Sequence, residues 1–323
     1  MPALDADVLN QYQALTERAG VVPLPGRTIV EVTGADRIAF LHSFCTNDVK
    51  RLQPGQGCEA FITSLQGKTL GHVLIFCGPD SLVLETTPGQ AETLLPHFDR
   101  FVISERIEFH ERSAQWSEVL VAGPGGARVL EATTGQPPPQ AMLSHEGATI
   151  GGRSVVLRRV PFAGPHGWLV QMDANDLAEV VAATVAAGAS MAGDQALEMI
   201  RLEAGWPWFG VDLTDDNLPQ EANRNEQAIS FKKGCYLGQE TVARIDAVGH
   251  VNRLLSSVAF VGDSLPVVGT KLRVEGREVG QVTSAAWSPR LNRPLALALV
   301  RRAAVAGGGP FETDIGRAEL QTA

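Results

Sequence analysis

The hydrophobic pattern of the first two thirds of the chain predicts strands and helices in mixed order. Leu4, Val8, Tyr12 and Leu15 recur at helical spacing, and the β-branched run 28–32 follows as a strand. The further predicted elements are a helix carrying Ile38, Leu41 and Phe44, strands over 59–63, 71–77 and 81–86, a helix from Pro88 toward Phe101, strands over 103–109 and 118–121, a helix over 126–133, strands over 154–159 and 167–172, and helices over 173–187 and 193–204. This pattern predicts an α+β fold.

The pattern changes after about residue 248. Short strands over 254–261, 271–274, 278–284 and 294–300 are separated by Gly and Pro, and no convincing helix accompanies them. Such a segment is typical of a small β-barrel or sandwich. The length of 323 residues agrees with two domains, which we place at residues 1–247 and 248–323.

Charge and composition limit the partners. The net charge is −9, which argues against direct nucleic-acid binding through bulk charge, since phosphate contacts are made by Lys and Arg. The longest stretch of small apolar residues, 180–193, is too short for a membrane span. The N-terminus carries neither a basic segment nor an apolar one. We therefore predict a cytoplasmic protein with no membrane partner.

The cysteines and histidines are not spaced like metal ligands. Cys45, Cys58, Cys77 and Cys235 contain no CxxC pair, and no two histidines lie three or four residues apart. The chain by itself is not expected to hold a metal or an iron–sulfur cluster. Each cysteine is then either a small core residue or a working thiol.

Residues 231–240 are the segment richest in chemical groups. Cys235 follows Lys232 and Lys233 and lies between Gly234 and Gly238. Neighbouring ammonium groups favour thiolate, so the pKa of Cys235 is predicted to fall below about 8.5 if the lysines are also close in space. The alternative is a buried cysteine in a glycine turn.

A second candidate group is Glu203, at a predicted helix end. A carboxylate can accept two parallel N–H bonds from a pterin edge, and Trp206 could offer a flat apolar surface. The alternative is a surface pair of Arg201 and Glu203 with Trp206 in the core. Asp212, Pro219, Glu221 and Arg224 lie in a loop-like stretch whose polar residues are interpreted as solvent-exposed. His72 is interpreted as a strand residue that faces water or a pocket.

The segment Phe231-Lys232-Lys233-Gly234-Cys235-Tyr236-x-Gly238-Gln239-Glu240-x-Val242-Ala243-Arg244 closely resembles the signature of the YgfZ family of folate-binding proteins, which are related to the glycine cleavage T-protein, an aminomethyltransferase. Further matches are Gly34-x-Asp36, Thr46-x-Asp48, Arg201-x-Glu203-Ala204-Gly205 and Gly280-x-Val282-Thr283-Ser284. They span nearly the whole chain in the family's order. The cysteine signature is specific, whereas the other blocks are shared across the T-protein superfamily.

The resemblance implies a body of two interleaved α/β subdomains that binds tetrahydrofolate, followed by a C-terminal β-barrel. It implies Cys235 as the functional thiol flanked by Lys233. Folate would be bound by Thr46, Asn47, Asp48, Arg201, Glu203, Trp206 and Arg244.

The chain departs from the T-protein pattern in two places. Aminomethyl-transferring T-proteins carry a carboxylate pair in the strand after the first Gly-rich turn, where this chain has Gly71 and His72. Without that group, activation of the folate nitrogen lacks its acid or base. Thr28 and Ala196 replace aromatic residues that contact folate in some bacterial relatives.

Three functions follow as hypotheses. The leading one is an accessory protein for assembly or repair of iron–sulfur client enzymes, which supports tRNA thiolation indirectly through tetrahydrofolate and the Cys235 thiol. The second is a tetrahydrofolate-dependent aminomethyl- or methyltransferase with another base, such as His72. The third is an interaction scaffold with a vestigial folate pocket.

Overall fold

The computed structural model describes residues 5–321, apart from the side chain of residue 248. Leu4 of the predicted first helix lies outside these residues. The helices are α1 (Ala6–Glu17), α2 (Arg37–His42), α3 (Ala91–Asp99), α4 (Gly126–Thr134), α5 (Leu177–Ala186), α6 (Asp194–Glu203), α7 (Asn225–Ala228), α8 (Gln239–Val248) and α9 (Arg302–Ala306). Short 3-10 turns occur at Val49–Arg51, Ala174–Asp176 and Pro219–Ala222.

Two sheets form the body, and their strands are interleaved along the chain. The six-stranded sheet has the order β11-β1-β7-β10-β9-β8 and consists of β1 (Gly20–Leu24), β7 (Trp116–Ala122), β8 (His145–Ile150), β9 (Arg153–Arg159), β10 (Gly167–Asp173) and β11 (Ser190–Met191). The five-stranded sheet has the order β3-β4-β5-β2-β6 and consists of β2 (Thr28–Thr33), β3 (Gln56–Thr63), β4 (Thr69–Cys77), β5 (Leu82–Thr86) and β6 (Glu108–Glu111). The expected two interleaved subdomains are confirmed.

The C-terminal strands close into a barrel in the order β12-β15-β14-β13-β16-β17. They are β12 (Arg253–Phe260), β13 (Lys271–Val274), β14 (Arg277–Ser288), β15 (Arg293–Arg301), β16 (Phe311–Thr313) and β17 (Gly316–Leu320). Closure leaves no free sheet edge, and Phe260, Val282 and Phe311 fill the interior. The α+β body with its small barrel matches the predicted fold class. The division at residues 247 and 248 stays a prediction.

Some element predictions were wrong. Residues 103–107 are not a strand, because β6 begins only at Glu108. The helix α9 interrupts a segment for which only strands were predicted. Strands β1 and β8 were missed, because Pro23 interrupts the first and the second is half polar. The helix α8 was also missed, since its buried face is short.

The main core lies between the two sheets and beneath α1 and α6. Leu24, Phe76 and Leu169 pack there with Trp206. The outer face of the five-stranded sheet is covered by α2 and α3, and that of the six-stranded sheet by α4 and α5. Helix α6 ends where Gly205 adopts a left-handed φ of 64°, a conformation that glycine favours after a helix. Because the helix ends here, Glu203 is the last residue of α6, and its side chain faces α1.

Each of the two sheets carries one buried ion pair. Arg158 Nη1 donates to Glu118 Oε1 at 2.9 Å, and Arg27 binds Glu85. Burial, reinforced by the neighbouring charge of Glu85, raises the pKa of Glu118 to about 8. One oxygen of each carboxylate, Oε2, has no hydrogen-bond partner in the described part of the chain. A proton shared between the two carboxylates would satisfy both.

Candidate functional site

Glu203 lines a cavity of about 350 Å³ between α1, α6 and the β14–β15 turn. Tyr12 donates its hydroxyl to Glu203 Oε2 at 2.9 Å, and Ser288 donates to Oε1. Arg290 Nε lies 3.6 Å from Oε2. The apolar lining includes Leu15, Ala163 and Ile200. Since a carboxylate has about four acceptor positions, Glu203 can accept further N–H bonds while these partners hold it in place.

Burial and the charge and hydrogen bond of Glu203 raise the pKa of Tyr12 far above its ordinary value of 10.0. Tyr12 therefore stays a hydrogen-bond donor at all physiological pH values, and the Glu203 carboxylate keeps a fixed orientation. This arrangement excludes the alternative in which Glu203 forms a surface pair with Arg201. The sequence pattern indicated Tyr12 only as an apolar helix position and did not point to Arg290, because neither residue is near Glu203 in the chain.

A second polar group is buried beneath Trp206. His72 lies opposite Phe61 in the β3–β4 ladder, and Glu59 is its diagonal neighbour on the same face. His72 Nε2 lies 2.8 Å from Glu59 Oε1. Arg224 donates hydrogen bonds to the same carboxylate through Nε and Nη2. The ring of His72 stacks between Phe61 and Trp206, with centroids 4.8 and 4.9 Å away. We call Glu59, His72 and Arg224 the buried triad.

The buried carboxylate of Glu59 is compensated by its two partners in the triad. Burial alone would raise the pKa of Glu59, but the hydrogen bonds from Arg224 and His72 outweigh burial, so the pKa lies below its ordinary value. Trp206 covers Arg224, whose guanidinium carbon lies 4.4 Å from the ring centroid. The sequence of β4 contains no carboxylate. The triad supplies one beside His72, from Glu59 on β3. The signal for it was a single charged residue within the apolar strand β3.

The polar stretch 212–224 is largely buried, which corrects its interpretation as solvent-exposed. Asp212 accepts from Arg201 Nη1 at 2.7 Å and from Thr283 Oγ1 at 2.6 Å. Ser284 Oγ donates to the same carboxylate at 2.5 Å. Arg201 is fully buried, and its charge is shared between Asp212 and Glu198. These contacts fasten the barrel to the end of α6.

The turn 46–48 binds the end of helix α7, which precedes the cysteine signature. Thr46 Oγ1 donates to Ala228 O at 2.6 Å, and Asn47 Nδ2 donates to Gln227 O at 2.9 Å. Asp48 pairs with Arg51 at 3.0 Å. None of the three lines the Glu203 cavity.

Lys233 points into the body, although it is two residues from Cys235. Its Nζ donates to the carbonyl oxygens of His42, Cys45 (2.6 Å) and Asn47 (2.8 Å). The His42 carbonyl belongs to the last residue of α2, where a cation is favourable, and the other two belong to the segment that follows. Burial lowers the pKa of Lys233. The Lys233 ammonium is bound by these carbonyls and does not contact the Cys235 thiol, contrary to the expectation that both are close in space.

Cys235 is exposed, whereas Cys45 and Cys77 are buried and Cys58 is half-buried. The loop is held at Gly238, which has a φ of 80° and packs so closely that a Cβ there would lie 2.3 Å from Ser64 O. Arg244 is exposed on α8. The structure thus brings Trp206 to His72 and Lys233 to the 46–48 turn. Within residues 5–321, no hydrogen bond or ion pair links Glu203, Cys235 or Arg244 to either group.

The described residues contain no set of three or more His, Cys, Asp or Glu side chains arranged to hold a metal ion. No helix within residues 5–321 combines the length and the apolar character needed to span a bilayer.

Two interleaved sheets with a closed barrel behind a carboxylate-lined cavity define the glycine cleavage T-protein class of folds. Residues 3–233 match the GCVT N-terminal domain, and residues 255–323 match the glycine cleavage T-protein C-terminal barrel domain. The chain belongs to this family.

Similar proteins span the whole chain. An aminomethyltransferase of Geobacillus kaustophilus is 27% identical over 98% of this chain and 88% of its own length. Another, from Frankia alni, is 28% identical over 95% of this chain and 85% of its own. The crystal structure of the glycine cleavage system aminomethyltransferase T from Bartonella henselae superposes with a TM-score of 0.86 at 18% identity, over 98% of this chain and 88% of that one, and shows the same fold. Membership of the T-protein superfamily is confirmed, whereas the narrower YgfZ assignment stays a prediction.

Tetrahydrofolate is the cofactor of aminomethyltransferases of this family, in agreement with the predicted cofactor. The Glu203 cavity fits its pterin ring chemically. The ring needs an acceptor for its N–H edge and apolar surface for its faces, and Glu203 with Leu15 and Ile200 offers both.

Proposed function

We propose that this protein binds tetrahydrofolate and catalyses the transfer of a one-carbon unit to or from it, as a transferase of the aminomethyl type. The buried triad is the observation that carries this proposal over the other hypotheses. A histidine paired with a buried carboxylate is a group that can take and return a proton, and such transfer requires one.

Each residue has a separate part in the proposal. Glu203 accepts N–H bonds from the pterin edge, while Tyr12 and Ser288 keep its carboxylate from rotating. Arg290, whose side chain is 59% exposed at the cavity rim, suits a carboxylate of the cofactor's tail. When bound, tetrahydrofolate supplies the nitrogen that carries the one-carbon unit.

Proton handling falls to His72. Its Nε2 is engaged by Glu59, so Nδ1 is the nitrogen that can exchange a proton with a bound molecule. Glu59 holds the ring in place through Nε2, and Arg224 keeps Glu59 ionised. Trp206, stacked on His72, excludes water from this side of the imidazole. The pair thus replaces the carboxylates that the β4 sequence lacks.

The binding step is tested by calorimetry with tetrahydrofolate. We expect wild-type protein to bind and Glu203→Gln to lose at least about tenfold in affinity, since the amide nitrogen is a donor and cannot accept the second N–H of the pterin edge. Asp194→Asn, an exposed carboxylate on the same helix, is the matched control and should bind normally. Equal affinity of Glu203→Gln and wild type would remove Glu203 as the anchor.

The catalytic step is tested with an aminomethyl donor and tetrahydrofolate. Formation of 5,10-methylenetetrahydrofolate by wild type, with the amino group of the donor released as ammonia, is the expected result. In His72→Phe this formation should be at least about a hundredfold slower. Tight cofactor binding without product from any aminomethyl or methyl donor would leave a binding protein and refute the transferase proposal.

A second candidate is the accessory role in iron–sulfur metabolism, and the exposure of Cys235 favours it. A thiol that works on another protein must be accessible, and Cys235 is the exposed one of the four. Cys235→Ser should then abolish support of iron–sulfur client enzymes in cells, while Cys58→Ser should not. Unchanged client activity with folded Cys235→Ser would exclude this role without bearing on the transferase.

A further inference from the structure

The basic side chains that seem isolated in the sequence converge at the junction of body and barrel. A cavity of about 840 Å³ lies between the end of α8, the β3–β4 turn and the barrel strands β12 and β15. Its lining includes Lys68, Arg253, Arg301 and Arg302, together with the carboxylates Asp216 and Glu221. This is a concentration of positive charge in a protein whose net charge is −9.

The acidic lining residues pair with only one of the four cations, within the described part of the chain. Glu221 is engaged by Arg253, with Nε 3.1 Å from Oε1. Lys68 Nζ donates to the backbone oxygen of Asp216 and not to its carboxylate. In the described part of the chain, Arg301 and Arg302 form no ion pair. Two guanidinium groups at the cavity are therefore left with open donors.

The strand register of the barrel places two positive charges directly opposite each other. Arg253 on β12 and Arg301 on β15 are direct partners in an antiparallel pair, so their side chains leave the same face of the sheet. Like charges at directly opposed positions destabilise a sheet. Arg302 follows at once as the first residue of α9. Three arginines therefore lie together at one concave surface. An anion bound among them would reduce their mutual repulsion.

We propose that this junction cavity binds a multivalent oxyanion ligand, separate from the Glu203 cavity. Arg301 and Arg302 provide planar forks that match phosphate or carboxylate oxygens in pairs, with Lys68 as a third point charge. The volume of about 840 Å³ leaves room for more than one anionic group of the same ligand. Its source is either a phosphate-bearing small molecule or an oligo-γ-glutamyl chain.

The two sites are separate. Glu203 is near Ser288 and Arg290 at one end of the β14–β15 hairpin, whereas Arg301 is at the other end of β15. At about 3.4 Å per residue, Arg293 and Arg301 are roughly 27 Å apart along the strand. Binding at the junction therefore does not depend on the transferase proposal.

Calorimetry with pyrophosphate and with tri-γ-glutamate at low salt tests the proposal. We expect at least one probe to bind, the tighter one identifying the source, and Arg301→Gln/Arg302→Gln to weaken that probe by at least about tenfold. Arg317→Gln, an exposed barrel arginine outside the cavity, is the control and should bind like wild type. Binding should also weaken as the ionic strength rises.

A thermal measurement separates lost binding from lost folding. Arg301→Gln relieves the opposition to Arg253, so the ligand-free Tm should be equal to or above that of wild type, while the rise in Tm with the probe disappears. The proposal is overturned if neither probe binds wild type, or if the double variant binds as tightly as Arg317→Gln.

Discussion

Removal of the Glu59 side chain is the sharpest perturbation of the buried triad. The carboxylate is 2% exposed, and it accepts hydrogen bonds from His72 and from two nitrogens of Arg224. Breaking a buried ion pair by deleting one partner costs about 3–5 kcal/mol, because the remaining charge is left uncompensated. Arg224 is 15% exposed and can recover some hydration. We therefore expect Glu59→Ala to lower the free energy of unfolding by about 3 kcal/mol.

Two further variants separate the contributions. Glu59→Gln keeps an acceptor for one donor but loses the charge, so it should cost about 2 kcal/mol. In Glu59→Ala/Arg224→Ala the unpaired charge is gone, and the double variant should be less destabilised than the sum of the single ones by about 2 kcal/mol. Urea denaturation followed by far-UV circular dichroism, with m unchanged, measures all three.

The pH dependence gives an independent measure. The pKa of Glu59 lies below its ordinary value of 4.5 in the folded protein, so its contribution to stability is present above 4.5 and is lost as the pH falls through the folded-state pKa. In Glu59→Gln, this part of the decrease in the free energy of unfolding at low pH should be absent. A loss below about 1 kcal/mol in Glu59→Ala, or strict additivity with Arg224→Ala, would refute the argument that the charges are coupled.

Three further predictions concern other buried charges. Since the pKa of Glu118 is raised from 4.5 to about 8, its stabilisation is complete below 4.5 and lost as the pH rises through 8; Glu118→Gln should flatten this alkaline decline in Tm, and an unchanged slope would contradict the raised pKa. Asp212→Ala should cost about 3 kcal/mol and speed proteolysis at the body–barrel joint; unchanged cleavage would mean that other contacts hold the barrel. Lys233→Met should lower Tm markedly, because three carbonyls lose their donor, whereas a lysine serving only catalysis would leave Tm unchanged.

Local pattern was sufficient for elements whose apolar periodicity is strong. The bounds of β2 and of β4 were predicted to within a few residues. A strand that is buried on both faces has a nearly continuous apolar sequence, which is easy to recognise. Strand β8 was missed for the opposite reason, since its half-polar sequence resembles a loop. The order of strands within the sheets is not written in any local pattern.

For the candidate site, the sequence by itself determined the fold family and pointed to Glu203, Trp206 and Cys235 as residues of interest. The tertiary structure alone decided their partners. Tyr12 meets Glu203 across 191 residues, and Arg224 meets Glu59 across 165. It also turned Lys233 away from the thiol and gathered Arg253, Arg301 and Lys68 around one cavity. The physical reason is that a side chain's type is local, whereas its charge state and partner depend on which distant strands and helices bury it.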